Sequence, residues 1–160
     1  MIYIVMGVSG CGKSTIGTLL AEKLALPFYD ADDFHSPTNI EKMAQGTPLT
    51  DDDRKPWLTL LADQIINWQA EGGAVLACSA LKQSYRDILS STTENSVKFV
   101  YLKGDKAVLT ARLTNRNNHF MPANLLTSQL ATLEPPEDAI TVSLEKTVEE
   151  IISDILKAIE

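Results

Sequence analysis

The chain has 160 residues, 44% hydrophobic and 22% charged, which suits one globular domain (residues 1–160) with a single buried core. Fourteen Lys and Arg against twenty-one Asp and Glu leave a formal charge of −7, which argues against nucleic acid or an anionic membrane surface as partner. No apolar run is long enough to span a bilayer, the N-terminus lacks a basic leader, and two cysteines make no disulfide framework, so a reducing cytoplasm is the expected setting.

The first element is a short, apolar, partly β-branched run, Ile2–Met6, which reads as a buried strand. Directly behind it stand Gly7, Val8, Ser9, Gly10, Cys11, Gly12, Lys13, Ser14 and Thr15, and the spacing of Gly7, Gly12, Lys13 and Ser14 matches the phosphate-loop pattern. Glycines let successive backbone N–H groups converge on phosphate oxygens, and the helix predicted over 14–25 adds its positive end. Lys13 is expected to reach the β- and γ-phosphates of ATP, and the Ser14 hydroxyl to ligate Mg²⁺. Cys11 sits inside that cradle near a helix N-terminus, a setting that can lower a thiol pKa.

A second strand over 27–29 leads into "DADDFH". Phosphoryl transfer to an alcohol needs a carboxylate to orient the hydroxyl and accept its proton, and often another near Mg²⁺. Alternation along an extended segment sets Asp30 and Asp32 on one side and Asp33 on the other, which suggests Asp32 as the base and Asp30 in the Mg²⁺ shell. An acidic loop that merely caps the next helix is the competing reading. His35 follows at the same sheet edge, as a candidate substrate contact.

The long helix Asp51–Ala70 comes next, and Asp51, Asp52 and Asp53 suit its positive N-terminal end. Lys42, Arg54 and Lys55 lie around its start. A third strand over 74–78 runs into Cys78-Ser79-Ala80-Leu81, with no carboxylate where many phosphate-loop enzymes carry a metal-binding Asp. Lys82 and Arg86, four apart on a helix over 81–89, are expected to share a face at the mouth of that strand. Lys42, Arg54, Lys82 and Arg86 near two or three carboxylates suggest an acidic, hydroxyl-bearing acceptor, while a solvated face is the better reading for Lys55. A fourth strand over 97–102 and a helix over 105–116 bring Arg112 and Arg116 to one face, followed by a polar, turn-prone break. That stretch, roughly 112–135, is the expected mobile lid over the phosphates, with surface arginines the duller alternative. A fifth strand over 139–144 and a helix over 147–159 complete the alternation. Strands and helices in this order make an α/β fold of three layers, a five-stranded parallel sheet between helices, with ligands beyond the carboxyl ends of the strands.

The stretches "MGVSGCGKS", "NIEKMAQGTPLTDDDRKPWL", "CSALKQSYRDIL", "VYLKGD" and "HFMPANLLTSQLATLEPP" together resemble the phosphate-loop gluconokinases of bacteria and eukaryotes over nearly the whole chain. The resemblance implies a shikimate-kinase-like fold, a homodimer, and ATP-dependent phosphorylation of D-gluconate at its 6-hydroxyl, feeding the pentose phosphate pathway. It also implies that Arg112 stacks near adenine and that Arg116 contacts phosphate as a catalytic group. Cys11 stands where that family usually has a small Ser or Ala, and "DADDFHS" replaces its more usual Asp-Gly-Asp with a His-Pro ending. Another small-molecule kinase of the same fold is the nearest rival. A nucleotide-dependent switch would want a guanine-reading Asn-Lys-x-Asp segment, which the sequence lacks.

Overall fold

The computed structural model describes residues 1–8, 11–47, 49–91, 96–114 and 123–159, with the side chains of 110, 112–114 and 123–125 outside that description. Strand β1, Ile2–Met6, is buried at every position and forms the centre of the sheet. It pairs in parallel with β3, Ala74–Ala77, on one side and with β4, Val97–Lys103, on the other. The short β2, Phe28–Asp30, adds beyond β3, and β5, Ile140–Ser143, beyond β4. The order is therefore β2-β3-β1-β4-β5, with every pair parallel.

The two-residue period of β1 divides the core. Tyr3 and Val5 join one cluster with Ile16, Leu20 and Ala21 of α1, Lys13–Leu24, and with Ile151, Ile152 and Ile155 of the last helix, Val148–Ile159. Ile2, Ile4 and Met6 face Trp57, Leu58, Leu61 and Ile65 of the long helix Asp51–Ala70, and Tyr85 and Leu89 of the helix Gln83–Ser90. Helices thus cover both faces, which is why the central strand reads as an unbroken apolar run.

Two helices escape the sequence pattern. The first, α2, spans Pro37–Ala44, so the long helix is α3 and Gln83–Ser90 is α4. The second, α6, spans Ala123–Thr132, after α5 at Lys106–Thr114 and before α7 at Val148–Ile159. The part of the predicted lid over 123–132 is therefore helical rather than a turn-prone break, while 115–122 lie outside the described residues. Among the described residues no helix is long and apolar enough to cross a membrane.

The chain leaves β1 for β2 on one side and leaves β3 for β4 on the other. Helix α1 lies on one face and α4 on the opposite one, so a crevice opens between the carboxyl ends of β1 and β3. The glycine loop after β1 and the segment 78–81 after β3 both end there.

Candidate phosphoryl-transfer site

Two glycines set the turn from β1 into α1. Gly7 has φ +151°, and a Cβ there would meet Cys11 Sγ at 2.8 Å and Leu102 O at 3.1 Å. Gly12, at φ 86°, is the left-handed N-cap of α1. Cys11 is fully buried in the core, with its sulfur beneath Gly7. The expected reactive thiol facing phosphate is therefore corrected, since packing turns the side chain inward and leaves only backbone to the loop. Cys78 is buried as well, and burial pushes its thiol up to about 12. Both cysteines are free. Ser9 and Gly10 fall outside the described residues.

Lys13 opens α1 and curls over the loop, donating to Gly7 O at 3.1 Å and Val8 O at 3.3 Å. Ser14 follows with an exposed hydroxyl that donates to Asp30 Oδ2 at 3.0 Å, and Thr15 is exposed beside it. The other Asp30 oxygen accepts the Asp32 N–H at 3.0 Å and caps a 3₁₀ turn over Ala31–Phe34. The expected extended segment with alternating carboxylates is corrected: the Asp30 cap winds the chain immediately after β2. Asp30 and Asp32 still face one region. The Asp32 carboxyl is pushed up, first by the water it loses on its protein side and then by Asp30 and Asp33, against a lowering by Lys13. Its side chain is 78% exposed on the open side, where an acceptor hydroxyl could approach. Ser14 and Asp30 are hard oxygen donors at a helix N-terminus, a set that fits Mg²⁺ held by few protein oxygens plus phosphate and water. Among the described residues no group of three or more His, Cys, Asp or Glu could cage a metal on its own.

His35 is buried, its ring stacked on Trp57 at 4.0 Å between centroids and 16° between planes. Burial, and then Arg54, lower its pKa to about 4, so the imidazole is neutral at physiological pH. Trp57 in turn donates from Nε1 to Ala31 O at 2.8 Å, fastening α3 to the turn that carries Asp32.

The basic residues separate into three situations. Lys42 pairs with Asp53 at 2.9 Å, and that bond, followed by the Thr50 N–H, holds the Asp53 carboxyl down to about 2. Lys82 pairs with Asp51 at 3.0 Å, and the Tyr85 hydroxyl also donates to Asp51. Tyr85 and then Lys82 hold the Asp51 carboxyl below the usual carboxylate range. Asp51 and Asp53 thus do more than serve the helix end, because they neutralise two of the cations. Arg54 donates from Nη1 to the Tyr85 oxygen at 3.0 Å and lies 5.4 Å over its ring. Among the described residues Arg54 makes no ion pair. Lys55 is exposed.

Arg86 does not join them. Lys82 is the N-cap of α4 rather than part of it, so the shared helix face is corrected. Arg86 is 2% exposed and donates to Ala80 O at 2.7 Å, Leu81 O at 3.2 Å, Gln83 Oε1 at 3.2 Å and Glu134 O at 2.7 Å. Ala80 has φ 45°, a left-handed conformation that a β-carbon disfavours. The guanidinium clamps that strained carbonyl and ties it to the segment after α6. Arg86→Ala is expected to cost about 3 kcal/mol of stability, because several carbonyls lose a charged donor at once. Thermal and denaturant melts check this; an unchanged melt with a raised KM for an acidic acceptor would restore Arg86 to the acceptor site.

The side chain of Arg112, on α5, and the whole of Arg116 lie outside the described residues, so their expected roles over adenine and phosphate stay with the resemblance. Sequence reasoning missed Asn39, Trp57 and Tyr85. A signal for the first existed: Ser36 followed by Pro37 is an N-cap with proline at the first helical position, and Ser36 Oγ does accept the Asn39 N–H at 3.2 Å. Tyr85 and Trp57 carried none, since each acts through a partner distant in sequence.

Residues 9–160 match the family model described as shikimate kinase. The chain is 46% identical over 179 aligned positions to a probable gluconokinase of Mus musculus, covering 99% of this chain and 97% of that protein. It is 47% identical to the gluconokinase of Gluconobacter oxydans, over 96% of this chain and 88% of that one. The crystal structure of a gluconokinase from Sinorhizobium meliloti superposes with a TM-score of 0.90 at 42% identity, covering 97% of this chain and 89% of the other. With the phosphate loop, the parallel five-stranded sheet and this likeness along almost its full length, the chain belongs to the gluconokinases of the shikimate kinase family.

Proposed function

We propose that the protein transfers the γ-phosphoryl group of ATP to the 6-hydroxyl of D-gluconate, giving 6-phospho-D-gluconate for the pentose phosphate pathway. The likeness to proteins named gluconokinase supports gluconate as acceptor. The observation that carries the chemistry is a carboxylate at the phosphate loop and, beyond it, a cation, Arg54, that makes no ion pair among the described residues. Asp32 orients the hydroxyl and accepts its proton, while Lys13 and the loop N–H groups hold the phosphates. Mg²⁺, where bound through Ser14 and Asp30, supplies neutralisation of phosphate charge.

Arg54 is the cation best placed for the gluconate carboxylate, because Lys42 and Lys82 already hold Asp53 and Asp51. Arg54 lies close enough to His35 to lower its pKa, and His35 faces Asp32, so Arg54 and the Asp32 carboxylate flank the same buried ring. A cation left without its anion on binding a neutral analogue should reject it strongly. Steady-state kinetics with gluconate, glucose and gluconamide test this on the wild type and on Arg54→Ala and Lys82→Ala. Glucose and gluconamide are expected to be very poor substrates, and Arg54→Ala to lose more kcat/KM for gluconate than Lys82→Ala. Comparable turnover of the neutral analogues would remove the carboxylate reading. A homodimer in the cytoplasm belongs to the same proposal, and it rests on the family resemblance.

A further inference from the structure

Asn39, on α2, is 5% exposed, and its side chain lies between His35 and the first turn of α3. Its Nδ2 is 2.9 Å from Asp53 O and 3.4 Å from His35 Nδ1. A backbone carbonyl only accepts, so the atom facing it is the amide nitrogen, and that nitrogen carries two hydrogens. One goes to Asp53 O, and the other points to His35 Nδ1, which must then accept. A neutral imidazole has one proton, and it is left on Nε2. That nitrogen faces Asp32 Oδ1 at 3.9 Å, about 1 Å beyond a hydrogen bond.

We propose that Asn39 is a positioning residue that locks His35 in the Nε2–H tautomer, so that the buried imidazole turns an N–H rather than a lone pair toward the Asp32 carboxylate across the 3.9 Å gap and favours its approach. The opposite tautomer would turn a lone pair on the same carboxylate and push it away. Trp57 fixes the plane of the ring by stacking, which leaves the position of the proton as the variable that Asn39 sets. The depressed pKa of His35 is consistent with a ring that stays neutral through the working pH range. The catalytic part of the inference rests on Asp32 serving the acceptor; the tautomer lock does not.

Nitrogen NMR of the two histidines, His35 and His119, reads the tautomer directly, and His35→Gln identifies the signal by removing it. The wild type is expected to show His35 protonated on Nε2; protonation on Nδ1 would overturn the inference without any variant. Asn39→Ala is expected to mix the tautomers and to lower kcat at least about tenfold, with KM for ATP within about twofold. A bridge that merely joins α2 to α3 would instead lower the melting temperature and leave kcat intact, and that result would overturn the proposal. A double-mutant cycle with His35→Gln sharpens it, since a glutamine amide donates near the Nε2 position whatever Asn39 does. Asn39→Ala should then cost little further activity in the His35→Gln background, and an equal loss in both backgrounds would contradict an effect through the imidazole. If Asp32→Asn keeps its activity while the tautomer responds to Asn39, the acceptor-orienting reading of Asp32 fails and the lock stands.

Discussion

Lys13→Ala is expected to reduce turnover by about 10²–10³-fold while leaving the fold intact, because one charge aimed at the transferring phosphoryl group is removed. The position tolerates the change structurally. Lys13 is the first residue of α1, half-buried, and among the described residues its ammonium bonds to two carbonyls of the loop it covers, Gly7 O and Val8 O. Alanine is a good helix former, and the left-handed Gly12 cap is untouched. Turnover measured beside a melting curve separates the two effects. A folded variant with near-normal turnover would remove Lys13 from the chemistry.

Asp32→Asn is expected to lower kcat by about 10²–10⁴-fold, the usual contribution of a general base, with little change in KM for ATP. The side chain is exposed toward the crevice and accepts none of the hydrogen bonds that shape the turn; the Asp30 carboxylate does that through the Asp32 N–H and Ser14. An amide of the same size therefore removes proton acceptance and leaves the local fold. A loss of less than a few-fold would pass the role to another carboxylate. Asp30 is next in line, although both its oxygens are already engaged.

The contrast between these two aspartates shows where the sequence was legible. The glycine loop, β1 and α3 could be read because local signals agree with the tertiary outcome. An apolar run precedes the glycines, and Thr50 with Asp53 forms a capping box at the start of α3, whose predicted limits, Asp51–Ala70, match the structure. Residues 30–34 were misread because a side chain, Asp30, competes for a backbone N–H and ends the strand at once. Helix α2 was missed because it is only eight residues long: Ile40, Met43 and Ala44 stand at helical spacing, but they make barely one turn of pattern and the one residue the helix buries is the polar Asn39.

The basic cluster was half legible. Residue types and spacing brought Lys42, Arg54 and Lys82 to one end of the sheet, but not which of them is already neutralised. Asp51 reaches Lys82 and Tyr85 across more than thirty residues, and Arg86 binds Glu134 O across nearly fifty. Such pairings depend on how α3, α4 and the segment after α6 pack, and spacing along one helix does not encode them. The helix-face rule applied to Lys82 and Arg86 also assumed that both lie within α4, whereas Lys82 precedes it and Arg86 turns inward.

The most direct test of the central claim is the identity of the product formed from ATP and D-gluconate, read by phosphorus NMR of the reaction mixture with ADP release followed in parallel. A single phosphoester on the 6-oxygen, formed in step with ADP and absent when glucose replaces gluconate, is the predicted result. No ester on gluconate, with phosphorylation of shikimate or a nucleoside monophosphate under the same conditions, would contradict it.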